Sequence, residues 1–143
     1  MMDAGRVTDL ALNRTLGLRA APAGSGAVLE MPESGLLLNH LGSIHAAALF
    51  ALAEASSAAF LLDQVPELAS GTFAALRSSE TKFRRPARGC LRSVAKFADG
   101  DASSLAAELT ARGRALGSIL VELVDAEGVV VMSGSFGWFL KKE

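Results

Sequence analysis

The chain has 143 residues, 50% of them hydrophobic, and its 14 Lys and Arg against 15 Asp and Glu give a formal net charge of -1. That length suits one domain with a real core, and 20% charged residues with only 14 Gly and 4 Pro exclude a disordered polyelectrolyte or a collagen-like chain. A single cysteine, Cys90, excludes a disulfide framework and any Cys-cluster metal site.

The opening MMDAGRVTDL has no basic segment running into an apolar one, so no secretory signal is read and a reducing cytoplasm is the expected location. Residues 3–18 place Val7, Leu10, Ala11 and Leu18 near helical spacing, which predicts one modest amphipathic helix. The segment APAGSG at 21–26 should end it in a turn. A short strand is expected from Ala27 to Met31, stopped by Pro32 and Gly35. Leu36 to Gly42 then approaches the main helix, predicted to run from an N-cap at Ser43 to about Asp63, with Pro66 just beyond it.

Within that helix the apolar run from Ala46 to Leu62 is broken only by Glu54, Ser56 and Ser57. A charge at mid-span is costly in lipid, so no membrane is implied. A helix apolar nearly all round must instead be enclosed by other structure. After a loop at 64–71, strands are expected at 72–84, 89–98, 114–124 and 129–140. Between the second and third, Leu105 and Leu109 predict a helix over 101–112 capped by Asp101 or Ser103. Ile119, Val121 and Leu123 share one face, and Asp125-Ala126-Glu127-Gly128 reads as a tight hairpin turn. One long buried helix followed by antiparallel strands is an α+β layout. A curved antiparallel sheet wrapped around the helix is the simplest enclosure.

Glu54 is the chemical anomaly, because a buried carboxylate needs a partner, a proton or a polar cavity. It could be a catalytic carboxylate, or it could emerge at a helix edge and pair with a basic strand residue. His45 lies in the first turn of the same helix, where the N–H groups of His45, Ala46 and Ala47 form an anion-attracting end. Such an end can hold a carbonyl oxygen as it becomes an oxyanion. Ala46 and Glu54 stand eight residues apart, about 12 Å along the axis. One helix cannot bring both to one carbon, so cooperation would require two subunits. Residues 77–96 hold seven basic side chains against Glu80 alone, either a solvated outer face or a phosphate cradle. Nucleic acid fits poorly, since no Tyr occurs and only Phe83 and Phe97 interleave those charges. The two histidines, His40 and His45, form no H-E-x-x-H set, so no metal is expected. Cys90 reads as a packing residue.

Asn39-His40-Leu41-Gly42-Ser43-Ile44-His45-Ala46-Ala47-Ala48-Leu49-Phe50-Ala51-Leu52-Ala53-Glu54 resembles the N-x-x-G-x-x-H-G-G-x-x-F-x-L-A-[DE] signature of hotdog-fold acyl-CoA thioesterases. The likeness is to the phenylacetate-pathway and 4-hydroxybenzoyl-CoA thioesterase branch. Arg85-Pro86-Ala87-Arg88-Gly89, Gly113-Arg114, Asp125–Gly128 and Gly134-Ser135 follow in the family's order. The resemblance implies one hotdog domain over 1–143, with an N-terminal helix and turn at 1–25 and a core at 26–140. It further implies a homodimer or dimer of dimers and an acyl-CoA substrate, with no cofactor. Glu54 matches the carboxylate that serves as general base or nucleophile. Ala46 and Ala47 match glycines whose N–H groups polarise the thioester carbonyl, Asn39 the amide that orients carbonyl or water, and His45 the family histidine. Ser57 is the hydroxyl nearest the position where some members carry one, and it is taken as substrate-binding. Arg84, Arg85, Arg88 and Arg114 are the candidates for the CoA phosphates. Two departures stand out: His-Ala-Ala replaces His-Gly-Gly, adding two methyls where substrate approaches, and 101–112 is an addition to a minimal connection. A hydratase or dehydratase lacks its H-F-P-type loop here, whereas a silent acyl-ligand binding module is favoured by the two alanines.

Overall fold

Period-two alternation dictates the second half of the chain, and the computed structural model, which describes residues 4–143, follows it closely. In chain order the elements are α1 (Ala4–Asp9), α2 (Ala11–Thr15), β1 (Arg19–Ala20), β2 (Leu29–Met31), α3 (Ala46–Gln64), β3 (Thr72–Phe83), β4 (Leu91–Phe97), α4 (Ala102–Arg112), β5 (Arg114–Val124) and β6 (Val130–Lys142). The strands form one antiparallel sheet in the order β1-β2-β4-β5-β6-β3. Ile119, Val121 and Leu123 are all buried on the helix-facing side of β5. Asp125 closes the β5–β6 turn by accepting from the Glu127 and Val129 N–H groups, each at 2.9 Å.

By length and composition α3 could cross a bilayer. Here it is the core helix, packed against β5, β4 and α1. Leu49, Leu52, Ala53 and Leu61 share one core with Ile119, Val121 and Phe136. The α4 excursion is stopped at both ends by its own residues. Asp101 accepts from Ser104 N–H at 2.8 Å while Ser104 Oγ accepts from Asp101 N–H at 3.0 Å, a reciprocal cap. Gly113, at φ +71, supplies the left-handed residue that ends the helix.

The N-terminal third departs from expectation. The single helix over 3–18 is two short ones, because Leu10 is extended at ψ 139 and breaks the run; Asp3 lies outside the described residues. The sheet begins at Arg19, inside the segment expected to be only helix and turn, since β1 pairs with β2. That strand pair is held by a charge. Glu30, 5% exposed, accepts from Arg19 Nε and from Arg92 Nε, the latter at 3.1 Å. The seam beside it is held by hydroxyls: Ser56 and Ser93 are fully buried 2.7 Å apart, and Ser93 Oγ accepts Leu29 N–H at 3.0 Å.

The Arg19 hydrogen bond, followed by Arg92, holds the Glu30 carboxyl below its ordinary 4.5 against the opposing effect of burial. A depressed folded-state value stabilises above the unfolded value and is lost as pH falls through the folded one. Glu30→Gln should therefore lower the melting temperature by several degrees at pH 7 and shrink that difference below about pH 4. Thermal melts of both proteins across pH 3–7 check this, and a constant gap would contradict it.

Candidate active site

The start of α3 is fixed from three directions. Asn39 organises the approach as a side-chain turn: its Oδ1 accepts from Leu41 N–H at 2.9 Å and Ser43 N–H at 3.2 Å, and its Nδ2 donates to Ser43 Oγ at 3.1 Å. His45 N–H donates to Leu37 O at 2.7 Å, and Ile44 N–H donates to Ala87 O at 2.8 Å. Because Asn39 engages the Ser43 hydroxyl, Ser43 is not the N-cap. His45 is, with Nδ1 accepting from Ala47 N–H at 2.9 Å. A neutral His45 in this role carries its proton on Nε2.

This arrangement narrows the anion-attracting end. The N–H groups of His45 and Ala47 are engaged, so they are not the free donors expected from position alone. Ala46 N–H has no acceptor among the described residues. Ala46 and Ala47 are both exposed, so their methyls stand at the open surface of this turn.

Glu54 lies two turns further along, half-buried. Its carboxylate makes no ion pair or hydrogen bond among the described residues, and burial raises its pKa above the ordinary 4.5. The basic strand residues do not reach it. Arg92 serves Glu30, and Arg84 Nε donates to Ser133 Oγ at 2.9 Å. Among the described residues of one chain, Glu54 therefore does not pair with a basic strand residue, the alternative its sequence position left open.

Ser57 is fully buried, not open to a ligand as expected; its Oγ donates to Glu54 O at 2.7 Å and accepts from Trp138 Nε1 at 2.9 Å. The sequence held no sign of that indole partner, since Trp138 is 81 residues away.

The four arginines do not converge within one chain. Arg84 and Arg85 donate their N–H groups to Val131 O, and the turn through Ala87 to Arg88 docks on the start of α3 through Ala87 O. Arg114 pairs with Lys141, whose other neighbour is Phe73, whereas Phe83 and Leu123 flank Met132 at the opposite end of the sheet. Nine residues of strand separate those ends, about 30 Å. A groove of about 630 Å³ lies on the outer face of the sheet, lined by Glu80, Lys82, Lys96 and Glu122 among others. It faces away from Glu54, since these outward positions alternate with the helix-facing ones.

The sequence matches the model of a domain of unknown function, DUF4442, over residues 19–140. No protein of curated function matches it. Among solved structures, a Pseudomonas aeruginosa protein described as a probable thioesterase is 33% identical, with a TM-score of 0.81 over 98% of this chain and 94% of that one. A Ralstonia eutropha thioesterase-type protein related to phenylacetic acid degradation is 22% identical, with a TM-score of 0.67 over 91% and 89% of the two chains. A Bacillus halodurans protein solved with CoA is 16% identical, with a TM-score of 0.69 over 90% and 74%; these two likenesses bear on fold alone. The antiparallel sheet around α3, the helix signature and these matches together mean that the chain belongs to the DUF4442 family, within the hotdog-fold thioesterase superfamily.

Proposed function

We propose that this chain hydrolyses an acyl-CoA, or a related pantetheine thioester, to free acid and thiol, with Glu54 as general base in a homodimer. The observation that carries the reading is a half-buried carboxylate without a partner among the described residues, set about 12 Å along one helix from an Ala46 N–H that likewise has no acceptor among them. In the reaction Glu54 takes a proton from water as the water oxygen adds to the thioester carbon. The carbonyl oxygen becomes an oxyanion and accepts from Ala46 N–H of the other subunit. Collapse of that intermediate breaks the C–S bond, and the thiolate leaves with the proton Glu54 had taken. Asn39 holds the loop that sets Ala46 in place, and its second Nδ2 proton is available to a carbonyl or water.

Two further features support the reading. The outer edge of β3 has no strand beside it among the described residues, and Phe73 and Phe83 on β3 are each about half exposed. A second copy placed edge to edge would cover it and bring its own α3 toward Glu54. The CoA held by the Bacillus halodurans relative favours a CoA-type ligand. The direct test is a panel of aliphatic and aromatic acyl-CoA esters read by free-thiol release. Turnover of at least one supports the proposal, while binding without turnover selects the silent module.

Arg85 and Arg88 are exposed and make no ion pair among the described residues, so they are the cations best placed for phosphates near the start of α3. Replacing both with Ala should raise KM for a CoA ester about tenfold and leave a phosphate-free pantetheine ester unaffected. Equal effects on the two substrates would remove these arginines from phosphate binding.

A further inference from the structure

We infer that Ser57 and Trp138 are positioning residues for Glu54, forming a hydrogen-bonded brace between β6 and the helical turn that carries the carboxylate; the inference rests on the base role proposed above. Glu54 sits mid-way along a helix stripe, one turn after Phe50 and one turn before Ser57. Both of those neighbours are tied to the same strand. Phe50 packs on Phe136 with ring centroids 5.7 Å apart, and Trp138 Nε1 donates to Ser57 Oγ at 2.9 Å. Phe136 and Trp138 are alternate residues of β6, so both face the helix. The turn bearing Glu54 is thus clamped at each end.

The polar end of the clamp reaches Glu54 itself. Ser57 Oγ donates to the Glu54 carbonyl at 2.7 Å, so two bonds run in series from indole to hydroxyl to the peptide of the proposed base. A serine bonded back to the preceding turn competes with the helix's own amide there and bends the helix locally. The direction in which Glu54 projects therefore depends on this hydroxyl. A buried indole requires an acceptor; Trp138 is 8% exposed, and Ser57 is its acceptor. No charge takes over this duty. The helix-facing residues of β3, β4 and β5, such as Leu76, Ala95 and Val121, include no ionisable side chain, and on β6 only Lys142, four residues beyond Trp138 and exposed at the strand end, shares that side. Asp63, the next acid on α3, lies more than two turns beyond.

Trp138 is the only tryptophan in the chain, so the emission reports the surroundings of this one indole. The experiment follows emission against pH for the full chain, for Glu54→Gln and for Ser57→Ala. A Ser57→Cys variant keeps the volume but accepts poorly. The wild-type emission should titrate with a midpoint above the ordinary carboxylate range, and Glu54→Gln should abolish that transition. Both Ser57 variants should displace the midpoint. With a CoA ester, they and Trp138→Phe should lower kcat about tenfold or more, leave KM nearly unchanged and move the acid limb of the rate profile in step with the emission. Folded variants that lose only melting temperature, with kcat and acid limb intact, would overturn the inference. So would emission flat with pH in the wild type. If no thioester is turned over, the base reading fails by itself, and the midpoints of wild type and Ser57→Ala still decide whether the brace governs Glu54.

Discussion

Glu54→Gln should lower kcat for thioester hydrolysis by about 10²-fold or more while making the protein no less stable at pH 7. Both halves follow from one fact. Burial raises the Glu54 pKa above its ordinary 4.5, so the folded chain binds this proton more tightly than the unfolded one. Stability contributed through this group then falls as pH rises from the unfolded value through the folded one. At neutral pH the ionised carboxylate is a burden on the fold that Gln, equal in shape and uncharged, removes. The melting temperature of the variant should match or exceed the wild type at pH 7 and converge with it near pH 4. Wild-type activity should decline as pH drops through the raised pKa. Hydrolysis at the wild-type rate by the Gln variant would end the mechanism.

Ala46→Pro should be the matching lesion at the other half of the site, and the fold makes it a clean one. Ala46 is the first residue of α3 after the His45 cap, a position where proline is well accommodated. His45, at φ -60 and ψ 137, already has the extended backbone that a residue before proline needs. The substitution deletes the N–H in that turn that has no acceptor among the described residues, so kcat should fall about 10²- to 10³-fold with little change in melting temperature. Each variant alone should be nearly inactive. Unfolded and refolded together in equal amounts, they should regain about one quarter of wild-type activity, because half of the dimers are mixed and each has one intact site. No recovery from a verified mixed dimer would mean that donor and base do not meet across subunits.

Local pattern was enough for the elements whose signals are local. β5 was readable to the residue from Ile119, Val121 and Leu123, and α4 from Asp101 and its two leucines. Glu54 could be singled out because nothing else in an apolar run carries a charge. What escaped depends on partners distant in sequence. Ser43 has the better intrinsic claim to cap α3, yet Asn39 engages its hydroxyl and the cap passes to His45. Glu30 carried no signal of its own in the sequence, because its arginine partners come from β4 and β1, 62 and 11 positions away. Ser57 seemed open to a ligand because no spacing rule links it to Trp138. Arg114 seemed to belong with Arg84, Arg85 and Arg88 until the antiparallel register placed it at the other end of the sheet.

The sheet order also sets when this protein can become itself on the ribosome. β3 pairs only with β6, and β4, α4 and β5 are all synthesised between them. From the moment β3 emerges, its hydrogen-bonding groups remain without their in-chain partner strand until β4, α4, β5 and finally β6 have been translated. The same delay holds for the wall behind Glu54, since Phe136 and Trp138 both arrive with β6. Nascent chains on neighbouring ribosomes would display bare β3 edges to one another during that interval. The arrangement puts a premium on mixed charge along this strand, and Arg77, Glu80 and Lys82 supply it.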